Sequence, residues 1–143
     1  MSESENRKPF GFGDGTYQAA GGHEGLIKLV DHFYDAMERL PRAEKIRQMH
    51  NSDLTVSREK LVYFLSGWMG GPQIYSDKFG AINIPMDHAH LLIDENDRDA
   101  WLICMAVALE ELEYPEDFST YVLEQLYRPA ERIRQVSQAR HST

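Results

Sequence analysis

The chain of 143 residues has a single cysteine, Cys104, so no disulfide can close within it. Cys104 sits in the apolar run from Trp101 to Leu109, where it reads as a small buried hydrophobe. A reducing, cytoplasmic setting is the expectation. That run falls far short of the ~20 residues that span a bilayer. The opening MSESENRKPF lacks the apolar centre of a secretory signal. Basic clusters are missing as well: 15 Lys and Arg stand against 23 Asp and Glu, a net charge of −8. Such a balance suits neither nucleic acid nor an anionic membrane as partner. There is no G-x-S-x-G, no phosphate-loop signature and no G-x-G-x-x-G after a strand pattern. Gly11-Phe12-Gly13-Asp14-Gly15 lies in a polar arm with no strand before it. H-E-x-x-H, C-x-x-C and paired Glu-x-x-His spacings are also missing, so ordinary zinc and di-iron centres have little support.

Alternating strand patterns are scarce, and what fills the chain is helical periodicity. Leu26, Ile27, Val30, Phe33, Tyr34 and Met37 recur on one face of a helix that follows Gly21-Gly22 and ends at Leu40-Pro41. Pro41 can open a short helix carrying Ile46 and Met49. Leu61, Phe64, Leu65 and Trp68 mark the inner face of a further helix that stops at Gly70-Gly71-Pro72. Residues 73–96 hold little periodicity and read as coil with a helical turn or two. Asp94 to Asp97 then supplies an acidic start, favourable to the helix dipole. The helix beyond it is apolar nearly all round, which predicts a central, buried position. Pro115-Glu116-Asp117 opens the last helix, with Phe118, Val122, Leu126 and Ile133 inward and Pro129 expected to kink it. The class is all-α and the length fits one domain. The expected division is a flexible arm at 1–15, a domain at 16–136 and a tail at 137–143.

Six histidines carry the remaining chemical potential: His23, His32, His50, His88, His90 and His141. His88 and His90 form H-x-H, whose rings share a side only on an extended segment. An aromatic-rich bundle with a histidine in a loose wall can offer a flat apolar slot and a neutral imidazole, which a haem requires. Taken alone, Tyr34 and Trp101 on apolar helix faces read equally well as core packing.

Four stretches narrow the choice: LVDHFYDAM at 29–37, IRQMHNSDL at 46–54, EKLVYFLSGWMGGPQIY at 59–75 and RDAWLICMAVAL at 98–109. With these, the sequence from about Tyr17 to Ile133 resembles the second group of truncated haemoglobins. The resemblance implies a two-over-two helical sandwich and haem b as cofactor. His88, some five residues before Ile93, would be the proximal iron ligand, with His90 its rival. Tyr34, Trp101 and His50 match the distal positions beside the bound gas. Phe33, Ser57, Leu61, Phe64 and Ile93 would border the haem. Lys60 and Tyr75 match positions that meet the propionates. Asp87 stands where relatives often carry Arg, and Ala81-Ile82 where they often show His-Pro, so the propionate contacts depart most from the family pattern.

The implied function is binding of O2, NO, CO or similar small ligands. Tyr34 O–H, Trp101 N–H and a His50 ring N–H would bond the bound gas, which favours retention, or redox detoxification of nitric oxide and reactive species, over release. A peroxidase-like or peroxynitrite-removing activity belongs to the same range. His50 or Tyr34 could serve as sixth iron ligand when no gas is present. A reductase partner and a monomer or weak dimer are expected. Other classes stay open: a helical interaction module without haem, or a haem electron-transfer or sensor protein.

Overall fold

A computed structural model describes residues 10–75 and 91–141. Six α-helices run in the order α1 (Gly15–Ala19), α2 (Gly22–Arg39), α3 (Glu44–Gln48), α4 (Thr55–Trp68), α5 (Glu95–Glu111) and α6 (Glu116–His141), with a 3₁₀ turn at Pro41–Ala43 before α3. No strand occurs among the described residues.

The periodic face of α2 buries Leu26, Leu29, Val30, Phe33, Tyr34, Ala36 and Met37. Leu40 is extended (φ −81°, ψ 125°) and precedes Pro41, so the chain leaves the helix there. Helix α2 packs on α4 and α5, and α5 in turn packs on α6. The result is two helix pairs laid one over the other, α2 with α4 and α5 with α6. The 3₁₀ turn and α3 bridge α2 and α5 at one end.

The acidic start of α5 is a reciprocal cap. Asp97 N–H donates to Asp94 Oδ1 at 2.9 Å, and Asp94 N–H donates to Asp97 Oδ2 at 3.0 Å. Both bonds satisfy amides that no helical carbonyl reaches. Lys45 of α3 donates to the buried Asp97 at 2.8 Å, tying the cap to α3. Helix α5 buries Ala100, Cys104, Met105, Ala108 and Leu109 as expected. Its other face is not buried: Leu102, Ile103 and Ala106 line an open groove with Leu123, Glu124 and Tyr127 of α6.

Gly70-Gly71 marks a crossing as well as a helix end. Gly70 has φ +87°, and a Cβ there would lie 1.9 Å from the Gly13 carbonyl oxygen. A Cβ on Gly71 would lie 2.5 Å from the Tyr17 ring. Two residues without side chains let the turn before α1 lie against the end of α4, and Tyr17 N–H then donates to Met69 O at 3.1 Å. Buried Ser66 closes the same turn by donating to Pro72 O at 2.9 Å.

The two ends depart from expectation. Residues 10–15 are not a loose arm: Phe10 packs on Phe118 and Tyr121, with ring centroids at 5.7 and 5.2 Å. The supposed tail at 137–143 continues α6 as far as His141, and Ser137 is fully buried. Pro129 lies inside α6 without ending it. Composition misled at both ends because a polar stretch can still carry one packed side chain per turn.

Along α6, Arg134 and Arg98 converge on Glu131, at 2.6 and 2.9 Å. The Arg134 guanidinium, helped by Arg98, holds the Glu131 carboxyl down at about 2. A carboxyl depressed in the fold favours the folded state above its ordinary value of 4.5, and that contribution is lost as pH falls through about 2. Glu131→Gln is therefore expected to lose less stability than the parent as pH falls over this interval, as measured by urea unfolding at each pH.

Candidate functional site

Helix α2 turns Phe33 and Tyr34 toward α5 and α3. The Phe33 ring meets the Tyr34 ring edge-on at 4.9 Å and the Trp101 ring of α5 at 5.0 Å. Tyr34 meets His50, just beyond α3, edge-on at 5.8 Å. Trp101, Phe33, Tyr34 and His50 thus form a continuous row of rings drawn from three segments. Edge-to-face contacts of this kind hold ring orientation as well as burying area. Ser57, Leu61 and Phe64 occupy one face of α4, at helical spacing. Phe64 stacks on Trp68 with centroids 6.4 Å apart. Leu61, Phe64 and Trp101 are only half-buried, and all three pack against the core.

Tyr34 is nearly inaccessible, at 4% exposure. Its hydroxyl donates to the Ser57 carbonyl at 3.5 Å, at the long limit of a hydrogen bond. Burial pushes the phenol well above its ordinary value, and the Arg58 charge only partly offsets this. The group therefore stays a neutral O–H donor across the physiological range. Arg58 reaches Asp31 at 3.5 Å, and its Nε is buried without a hydrogen-bond partner. Sequence reading passed over Arg58, since nothing in the pattern around Ser57 separates it from an ordinary surface arginine.

His50 Nδ1 lies 2.8 Å from the Ile46 carbonyl oxygen. A carbonyl only accepts, so Nδ1 carries the hydrogen, and the neutral ring presents the lone pair of Nε2. With Nδ1 engaged by the backbone, Nε2 can donate only when the ring is protonated.

The remaining expected residues are placed unevenly. Ile93 is half-buried, and its N–H donates to Ser137 Oγ of α6 at 2.8 Å. Lys60 is exposed on α4, and Tyr75 is half-buried at the edge of the described region. His88, expected as the iron ligand, and its rival His90 lie outside the described residues. Tyr34, His50, Ser57 and Trp101 come together; the proximal half is not part of the described geometry.

The half-buried apolar side chains Leu61, Phe64 and Trp101, together with a buried phenol that has one long bond, suit a flat apolar group presenting a small polar ligand. That is the chemistry of a haem with a diatomic gas, and an all-helical two-over-two sandwich holding such a wall is a globin. The comparisons with known proteins agree. The family model described as bacterial-like globin matches residues 15–135. Group 2 truncated hemoglobin YjbI of Bacillus subtilis (strain 168) is 34% identical over 96 residues, 67% of this chain and 70% of that one. The group II 2-on-2 hemoglobin of Agrobacterium tumefaciens superposes with a TM-score of 0.78 at 30% identity, covering 83% of this chain and 92% of that chain. The truncated oxygen-avid haemoglobin of Bacillus subtilis gives 0.74 at 30% identity, covering 82% and 97%. The chain belongs to the bacterial-like globins, among the group II truncated haemoglobins. As a globin it binds haem and, through it, O2 and other diatomic ligands. No described helix is long and apolar enough to cross a membrane.

The tautomer of His50 can be checked directly. Nitrogen NMR of the diamagnetic carbon monoxide complex is expected to show a protonated Nδ1 and a pyridine-like Nε2 in the neutral ring. The opposite tautomer would be incompatible with a hydrogen bond to the Ile46 carbonyl.

Proposed function

We propose that this chain is a gas-retaining haem protein in which Tyr34 and Trp101 are the distal donors. The carrying observation is the Tyr34 hydroxyl, buried, kept protonated and given only a 3.5 Å bond to Ser57. A hydroxyl so weakly engaged can turn to a ligand without giving up a good internal bond. Haem b would supply reversible binding of O2, NO or CO at a ferrous centre. His88 would hold its proximal face, while Phe33, Ser57, Leu61, Phe64 and Ile93 exclude water and fix its plane. Lys60 and Tyr75 would meet the propionates, where an ammonium suits carboxylates.

Trp101 N–H and Tyr34 O–H can both donate to the outer atom of a polarised gas. A charge-assisted hydrogen bond contributes about 1.5–3 kcal/mol, and ~1.4 kcal/mol is a factor of ten in an equilibrium. Two such donors make release slow, so the site suits retention or reaction more than delivery. Bound haem would supply the redox chemistry that turns held oxygen and nitric oxide into nitrate, and since this would leave the haem oxidised by one electron, a reductase partner belongs to this reading. A cytoplasmic monomer or weak dimer completes it.

His50 takes a different part. Its Nε2 lone pair suits it to be the sixth ligand of ferric iron when no gas is present. Burial, which keeps Tyr34 protonated, favours His50 over Tyr34 in that role. The test is the O2 dissociation rate. Tyr34→Phe and Trp101→Phe are each expected to raise it on the order of ten- to a hundredfold. His50→Phe should change it less near neutral pH while removing low-spin character from the ferric spectrum. Unchanged rates in the first two variants would remove the donor assignment.

A further inference from the structure

The outer face of α5 and α6 is not used by the distal row of rings. Leu102, Ile103 and Ala106 line an open groove there with Leu123, Glu124 and Tyr127. Tyr127 is 44% exposed, a large ring left in water beside apolar side chains. A contiguous apolar surface edged by charge is the usual form of a protein–protein contact. The charges along α6 define what fits it. Between Arg98 and Arg128 the chain holds no Lys, Arg or His, and beyond Arg128 its one acidic residue is Glu131. Glu131 is answered within the chain by Arg98 and Arg134. Arg128, Arg132 and Glu124 are exposed and make no ion pair among the described residues. Glu124 also borders an acidic hollow formed with Glu116, Asp117, Thr120 and Tyr121. A helix dipole favours acid at the start and base at the end, but only within the terminal turns. Glu124 and Arg128 stand in the middle of α6, one turn apart on one strip, and do not bond each other.

The partner such a face requires has an apolar strip of its own, with a cation and an anion one turn apart in the reverse order. Helix α6 read backwards has that pattern. We propose that the α5–α6 face binds a second copy of this chain, the two α6 helices running antiparallel about a two-fold axis level with residue 126. Glu124 of each copy then meets Arg128 of the other. Arg132 comes level with Thr120, near the carboxylates of the acidic hollow. The two grooves lie face to face, and each Tyr127 ring is covered by the other copy. A two-fold contact makes every favourable pair twice. Each copy also carries a net charge of −8, which opposes association except where opposite charges are matched in this way. Exposed ion pairs contribute little each and the apolar strip is short, so the dimer is weak and exchanges with monomer. The surface stands independently of the proposed gas chemistry.

The experiment is sedimentation of the holoprotein from micromolar to millimolar concentration. The parent is expected to pass from monomer to dimer as concentration rises. Glu124→Arg and Arg128→Glu should each weaken dimerisation about tenfold or more, tenfold being equivalent to ~1.4 kcal/mol. An equimolar mixture of the two variants should regain the parent affinity, because each supplies the charge that the other has lost. Damage to α6 itself would not be reversed by mixing. Tyr127→Ala should weaken the dimer as well. A parent that stays monomeric throughout would overturn the proposal, and a dimer indifferent to both charge reversals would move the contact to another surface and overturn it too. Failure of the mixture to recover would leave the face to another occupant, such as the basic Arg7-Lys8 segment that precedes Phe10, and would equally overturn it.

Discussion

Burial of one hydroxyl organises the site. Tyr34 stands at 4% exposure in a wall of aromatic and aliphatic side chains, with only the Ser57 carbonyl at 3.5 Å to receive its proton. Burying a polar group with so poor a partner costs free energy that the surrounding packing must offset. The offset is visible in Phe33, fully buried and wedged against both Tyr34 and Trp101. In the donor role proposed for Tyr34, the fold has already met the cost of orienting the hydroxyl.

The rest of the molecule keeps that wall in place. Helix α2 brings Phe33 and Tyr34 to α5, and α5 is fixed by its cap and by Lys45 from α3. The Gly70-Gly71 crossing brings the first turn of the chain against the end of α4, the helix that carries Ser57, Leu61 and Phe64. Tyr114 of the α5–α6 turn reaches back to the Ala20 carbonyl at 2.5 Å, joining the two ends of the sandwich. Each of these contacts lies away from the ring row.

Much of this was legible in the sequence because a 3.6-residue period survives any tertiary detail. The inward face of α2, the stop at Leu40-Pro41 and the acidic start of α5 were all readable. The family resemblance then singled out Tyr34, His50 and Trp101 from among ordinary core residues. Contacts between distant residues were not legible. Nothing in Ser137 or its neighbours points to Leu91 and Ile93, forty-odd positions away. The His50 tautomer depends on the Ile46 carbonyl, a bond formed only because α3 ends where it does. The apolar character of α5 did not tell a buried face from a groove: Leu102, Ile103 and Ala106 look the same in sequence as Cys104 and Met105.

The proposed donation of a hydrogen bond from Tyr34 to the bound gas has a direct spectroscopic readout. The infrared C–O stretch of the carbon monoxide complex reports the field at the outer ligand atom. A donor there lowers the stretching frequency. With Tyr34 as donor, the parent protein shows a low-frequency band that moves to higher frequency in Tyr34→Phe; an identical band in the two proteins would rule the donation out.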